Sequence, residues 1–94
     1  MRVVHCKREP YTHYIGRTGH GFVSTGLGNP SVMSTEADRP LCIADFETYA
    51  RATPRVMTLI ASLPEDAVLG CWCAPKACHG DVIIKLWKEL HAVR

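Results

Sequence analysis

The stretch Ala67–Leu90, AVLGCWCAPKACHGDVIIKLWKEL, decides how this chain folds. It opens on an apolar run, Ala67-Val68-Leu69, passes through Gly70-Cys71-Trp72-Cys73 and breaks at Ala74-Pro75. Beyond Cys78-His79-Gly80-Asp81, the apolar residues Val82, Ile83, Leu86, Trp87, Leu90 and Val93 recur at helical spacing. The pattern predicts strand, tight loop, amphipathic helix. The strand has few polar residues, as expected of one covered on both faces. A strand entering a helix through a short loop leaves backbone N–H groups unpaired at the helix start, where anions are favoured. Three thiols, one imidazole and one carboxylate fall within this turn, which makes it the candidate site.

Working outward, Leu63-Pro64-Glu65-Asp66 is a turn into the strand, and Val56, Met57, Leu59, Ile60 and Leu63 form a helical stripe. Thr53-Pro54 stands in N-cap and N1 order before that stripe. Leu41–Arg51 predicts another helix, with Pro40 near its first turn, and Ser31–Asp38 reads as connection. Gly16–Pro30, GRTGHGFVSTGLGNP, holds five glycines and no helical period, so it is a long loop. Its glycines fit neither the dinucleotide-binding nor the P-loop spacing. Loops this long in small domains tend to be functional or mobile. Arg2–Cys6 and Tyr11–Ile15, separated by Pro10, read as two strands. The order of two strands, long loop, two helices, strand and helix predicts one small α/β domain over 1–94, with helices packed on a sheet.

Composition bounds the function classes. Ninety-four residues, 47% apolar and 21% charged, suit a single globular core. A net charge of +2 does not indicate a nucleic-acid partner. The first twenty residues are locally basic, with Arg2, Lys7, Arg8 and Arg17 against Glu9. No signal-peptide pattern or membrane-length apolar run occurs, so the five cysteines are expected as reduced thiols in a cytoplasm.

The Cys-His turn supports three chemistries. Cys71, Cys73, Cys78 and His79 have the ligand types of a zinc site, although Cys-x-Cys-x4-Cys-His is not the usual pair-and-pair spacing. His5 and Cys6 would complete such a site from the first strand. Alternatively, Cys78 at a helix N-terminus is a lowered-pKa nucleophile, with His79 as base and Asp81 orienting it, or with His5 or His13 as base. In the third reading the thiols are small buried groups and Asp81 is a first-turn carboxylate serving the helix. Alternation places Cys71 and Cys73 on one side of the chain and Trp72 on the other. Trp72, Trp87, Phe46 and Tyr49 are expected in or near the core, and Cys42 is expected buried. His91 complements the dipole of the last helix.

His5-Cys6-Lys7-Arg8-Glu9-Pro10-Tyr11 running to Tyr14-Ile15-Gly16-Arg17, then Gly28-Asn29-Pro30, then Leu69–Lys76 with Cys78–Val82, resemble a family of short proteins. It is a domain of unknown function found mainly in bacteriophages and bacteria. The chain departs from it at Leu27 and Ser31, where aromatic residues usually flank Gly-Asn-Pro. The turn also looks like that of a second uncharacterised α/β family. Both resemblances imply a Rossmann-like sheet with a pocket at the carboxyl edge of its strands.

The functional expectation is a phosphate-bearing, nucleotide-like small ligand held at the Cys-His-Gly-Asp helix start. In a phage setting this implies capture of a host nucleotide signal. Its contacts would be His5, Lys7, Arg8, Tyr14, Arg17, Asn29, Cys73, Lys76, Cys78, His79, Gly80 and Asp81. A cysteine-dependent enzyme acting on a nucleotide or nucleoside, and a zinc-stabilised interaction module, are the alternatives. No membrane partner is expected, and a second copy of the chain would complete a wide pocket.

Overall fold

The computed structural model describes residues 1–92. Three short strands, β1 (Arg2–His5), β2 (His13–Tyr14) and β3 (Val68–Cys71), form one sheet in the order β1-β3-β2, with both pairs parallel. Arg2 lies opposite Val68 and His5 opposite Cys71, while His13 and Tyr14 face Leu69 and Gly70. β2 is shorter than its pattern predicts, yet Thr12 N–H donates to Val68 O and Ile15 N–H to Gly70 O, both at 2.9 Å. Tyr11 leaves the ladder because its ring lies over Gly70, where a Cβ would come within 2.7 Å of it.

Three helices follow: α1 (Arg39–Ala52), α2 (Pro54–Ala61) and α3 (His79–Leu90). α1 starts two residues before the expected Leu41, with Pro40 in its first turn where no N–H is required. The expected connection 31–38 contains a 3-10 turn over Glu36–Asp38. Thr53 alone joins α1 to α2. It holds the N-cap position in extended conformation, but its hydroxyl donates back to Tyr49 O at 2.6 Å and so closes the preceding helix.

The two faces of the sheet are covered differently. Leu69, Cys71 and Ile15 pack with Phe46, Val56, Ile60, Ile83 and Leu86 in the main core, built largely by the helices. On the other face Val4, Gly70 and Tyr14 share a register row, and the cover is aromatic. Tyr11 lies over Gly70, and Phe22 stacks on Tyr14 with ring centroids 4.8 Å apart. Leu69, Gly70 and Cys71 are all buried, as the unbroken apolar run predicts.

Trp87 donates its indole N–H to Leu63 O at 2.8 Å, and His91 stacks on it at 4.2 Å. Val93, the last position of the apolar stripe, lies outside the described residues. Among those described, no helix is long and apolar enough to cross a membrane. The fold is α/β, one small parallel sheet with helices packed against it.

Candidate functional site

The carboxyl ends of β2 and β3 open on one cavity of about 440 Å³. The direction is set by topology: parallel strands present their carboxyl ends together, and the loops leaving them form the walls. From β2 the chain supplies Gly16, Arg17 and Thr18; from β3, Cys71, Trp72 and Cys73; from the start of α3, Cys78 and His79. Arg39, Cys42 and Ile43 of α1 close the side. None of the lining side chains is a carboxylate.

The start of α3 is self-capped. Cys78 is extended (φ −153°, ψ 178°), and its sulfur accepts the Gly80 N–H at 3.3 Å. Asp81 Oδ2 accepts the Cys78 N–H at 3.3 Å, completing a capping box in which a thiol replaces the usual hydroxyl. Two N–H groups that an incoming anion would use are thus already met by side chains.

His79 is turned inward. Its Nε2 lies 2.8 Å from Ile15 O and 3.0 Å from Leu27 O. Carbonyls only accept, so Nε2 carries a hydrogen shared between them. Burial holds this imidazole below its usual pKa, against the two carbonyl bonds that raise it, and the Arg17 charge lowers it further. Its ring also meets the edge of Phe46 at 4.8 Å. With Nε2 donating to the loop, His79 does not offer that nitrogen as a base to Cys78, and Asp81 serves the helix start instead of orienting the imidazole.

The three thiols are neighbours. Cys71 Sγ lies 3.4 Å from Cys78 Sγ, and Cys73 lines the same cavity. The Cys78 thiol is lowered from its ordinary value, first by the hydrogen bond from Cys71 and then by the Gly80 N–H, against burial. Cys73 is strongly raised by its bond with Cys71 and by burial, with Arg39 opposing. Cys71 is raised: its bond with Cys73 lowers it, but contact with Cys78 and burial outweigh that. Among the described residues, no group of three or more His, Cys, Asp or Glu is arranged to hold a metal ion. The zinc reading therefore lacks its tetrahedron, because His79 is committed to backbone carbonyls while the sulfurs face one another.

Of the sequence-derived site residues, the cavity gathers Tyr14, Arg17, Asn29, Cys71, Cys73, Cys78 and His79. Tyr14 donates its hydroxyl to Arg17 O at 2.7 Å. Asn29 spans the loop and α1, its Nδ2 donating to Cys42 O and its Oδ1 accepting from Ser31 N. The others stand outside the lining. His5 takes the Lys7 N–H on Nδ1 and meets the Trp72 edge, while Lys7 and Arg8 are exposed. Lys76 pairs with Glu36 at 3.2 Å. Gly80 abuts Val3 and Ile15, where a Cβ would sit 2.8 and 2.9 Å from side-chain carbons. His13 bonds Thr12 Oγ1 at 2.7 Å and does not reach the thiols.

Trp72 and Arg39 are cavity residues that the sequence reading left out. Trp72, expected in or near the core, follows the last strand residue and is 39% exposed, its ring met edge-on by His5, His20 and Phe22. Its indole N–H donates to Tyr14 Oη at 2.9 Å, which fixes the ring at the cavity wall. Arg39 donates to Ala77 O at 2.7 Å and forks onto Glu36 through Nε and Nη2. The Glu36 carboxyl is pulled down to about 2 by Arg39 and then Lys76. Arg39 fell at the edge of a segment read as connection, and its position before Pro40 was its sole signal. Arg17 differs: it reaches Ser31 O at 3.4 Å and forms no ion pair among the described residues.

No curated protein and no solved structure matched this chain. A family model described as Domain of unknown function (DUF4326) matches residues 2–89, and the chain belongs to that family.

Proposed function

We propose that this protein binds a phosphate-bearing, nucleotide-like small molecule in the cavity at the carboxyl edge of its sheet. The observation that carries the reading is Arg17, a cation without a carboxylate partner among the described residues, on a wall lined by no acid. A cavity of about 440 Å³ is of small-ligand size. Trp72 offers an exposed aromatic edge for a base, and Asn29 and Ser31 add polar contacts. Because the helix start is already capped, the phosphate is assigned to Arg17 more than to the backbone N–H groups of α3.

The finer expectations follow the same reading. The parallel sheet with a ligand beyond its carboxyl edge is the arrangement of Rossmann-like folds. In a phage-encoded protein acting in host cytoplasm, the ligand would be a host nucleotide signal, captured without turnover.

The test is a thermal-shift screen of a nucleotide library. At about 100 times Kd, a ligand specific to the folded state adds about 2.7 kcal/mol. For a domain of this size that is a Tm rise of roughly 10 °C or more. Arg17→Ala should abolish the rise while leaving the ligand-free Tm within a degree or two. A rise that survives Arg17→Ala, or no rise with any nucleotide, sinks the proposal. Conversion of a bound nucleotide that Cys78→Ser prevents would replace capture with cysteine-dependent catalysis.

A further inference from the structure

The thiols are the least ordinary group in the molecule. Cys71, Cys73 and Cys78 all line the cavity, and Cys71 touches Cys78. A disulfide needs its sulfurs at about 2.05 Å, so the 3.4 Å Cys71–Cys78 separation must close by well under one bond length. The two residues sit on different elements, the end of β3 and the cap of α3, which the core holds in fixed apposition.

From this arrangement we propose that Cys78 and Cys71 form a two-electron dithiol centre that reduces a low-molecular-weight disulfide entering the cavity. Cys78 is the attacking sulfur. It receives the Gly80 N–H at a helix start, which favours its thiolate, lies 3.4 Å from Cys71 Sγ, and lines the cavity. Its sulfur attacks one sulfur of R–S–S–R, the S–S bond breaks, and the first RS⁻ leaves and takes up the proton that Cys78 released. Cys71, in contact, then loses its proton and attacks Cys78 Sγ. The mixed disulfide breaks, and the second RS⁻ departs with that proton. The balance is two protein thiols and one R–S–S–R giving one protein disulfide and two R–SH. Cys73, half-buried on the same wall, takes no part in either step. Arg17 and His20 on the same wall favour a disulfide that carries carboxylates, such as oxidised glutathione.

The centre is independent of the nucleotide reading, and its failure leaves that reading standing. The experiment incubates the intact chain with oxidised glutathione under native conditions and measures intact mass and peptide map. Wild type should lose two hydrogen atoms, with a Cys71–Cys78 linkage and two glutathione thiols released per chain. Cys71→Ser should stall at a glutathione adduct on Cys78, and Cys78→Ser should form neither adduct nor linkage within the cavity. Cys6→Ser, outside the cavity lining, should behave as wild type. Wild type that keeps its hydrogens, or a linkage or adduct confined to Cys73 or Cys6, overturns the proposal whether or not the variants fold.

Discussion

The two faces of the sheet are built from different materials. One is backed by helices whose contact residues, Phe46, Ile60, Ile83 and Leu86, have no exposed surface. The other is backed by Tyr11, Phe22 and Trp72, delivered by segments without regular structure and left partly exposed. The helical face rests on aliphatic burial, which depends on volume more than direction. The aromatic face rests on ring contacts and on hydrogen bonds linking Trp72 to Tyr14 and Tyr14 to Arg17. Few buried contacts and many exposed backbone groups place such regions at the low end of local stability. The chain thus separates a body that holds the fold from a cover that is held more loosely.

The largest effect expected from this contrast is between two phenylalanines. Phe46→Ala should cost about 3–5 kcal/mol, the range for a fully buried aromatic. Phe22→Ala, half-buried on the cover, should cost about 1–2 kcal/mol from its area and ring contacts. Urea unfolding of both variants decides it. Equal losses would mean that the two faces unfold as one unit.

His79→Ala comes next. It removes the donor from two carbonyls and should cost about 2–4 kcal/mol, with faster amide exchange across residues 16–26. The pH dependence has a definite sign. The folded imidazole lies below its ordinary 6.5, so below that value the unfolded chain takes up a proton that the folded one refuses. Stability should therefore fall as pH drops below about 6.5, and a Tm series on His79→Ala should have lost that part of the slope.

Gly80→Ala pits two effects against each other. Alanine in a helix is favoured over glycine by about 1 kcal/mol. Here its Cβ would press on Val3 and Ile15 under 3 Å, and overpacking costs about 1–3 kcal/mol. We expect a net loss of about 1 kcal/mol by chemical denaturation. A gain would show that the seam between α3 and β1 yields as the cover does.

The smallest effect concerns the rim. Glu36, fully exposed, has its carboxyl held at about 2 by Arg39 and Lys76, so its contribution is complete above about pH 4.5 and fades as pH falls towards 2. Glu36→Gln should lower Tm slightly at neutral pH and low salt, with the difference vanishing in high salt. A large effect would make the ion pairs part of the body.

The body was legible in the sequence because burial writes a period. The α3 stripe of Val82, Ile83 and Leu86, the Val56-Ile60-Leu63 stripe and the unbroken run of β3 each fell where their spacing put them. So did the turn that carries the thiols. The cover was not legible in the same way. Its residues are held by single hydrogen bonds and by contacts across long separations, as between Trp72 and Tyr14, and no local pattern encodes those. His79 shows the limit most clearly. Its place at a helix start marked it as chemical, while its actual partners, Ile15 O and Leu27 O, are backbone atoms that no side-chain motif can announce.

Those two carbonyls have a consequence for how such a chain can vary. They are the feet of the glycine-rich excursion, and one ring anchors both. Between fixed feet, doubling the number of residues adds only about 0.6 kcal/mol of closure entropy. Insertions and exchanges over 16–26 can therefore accumulate without disturbing the body, and with them the shape of the cavity wall. The anchoring histidine has no such latitude.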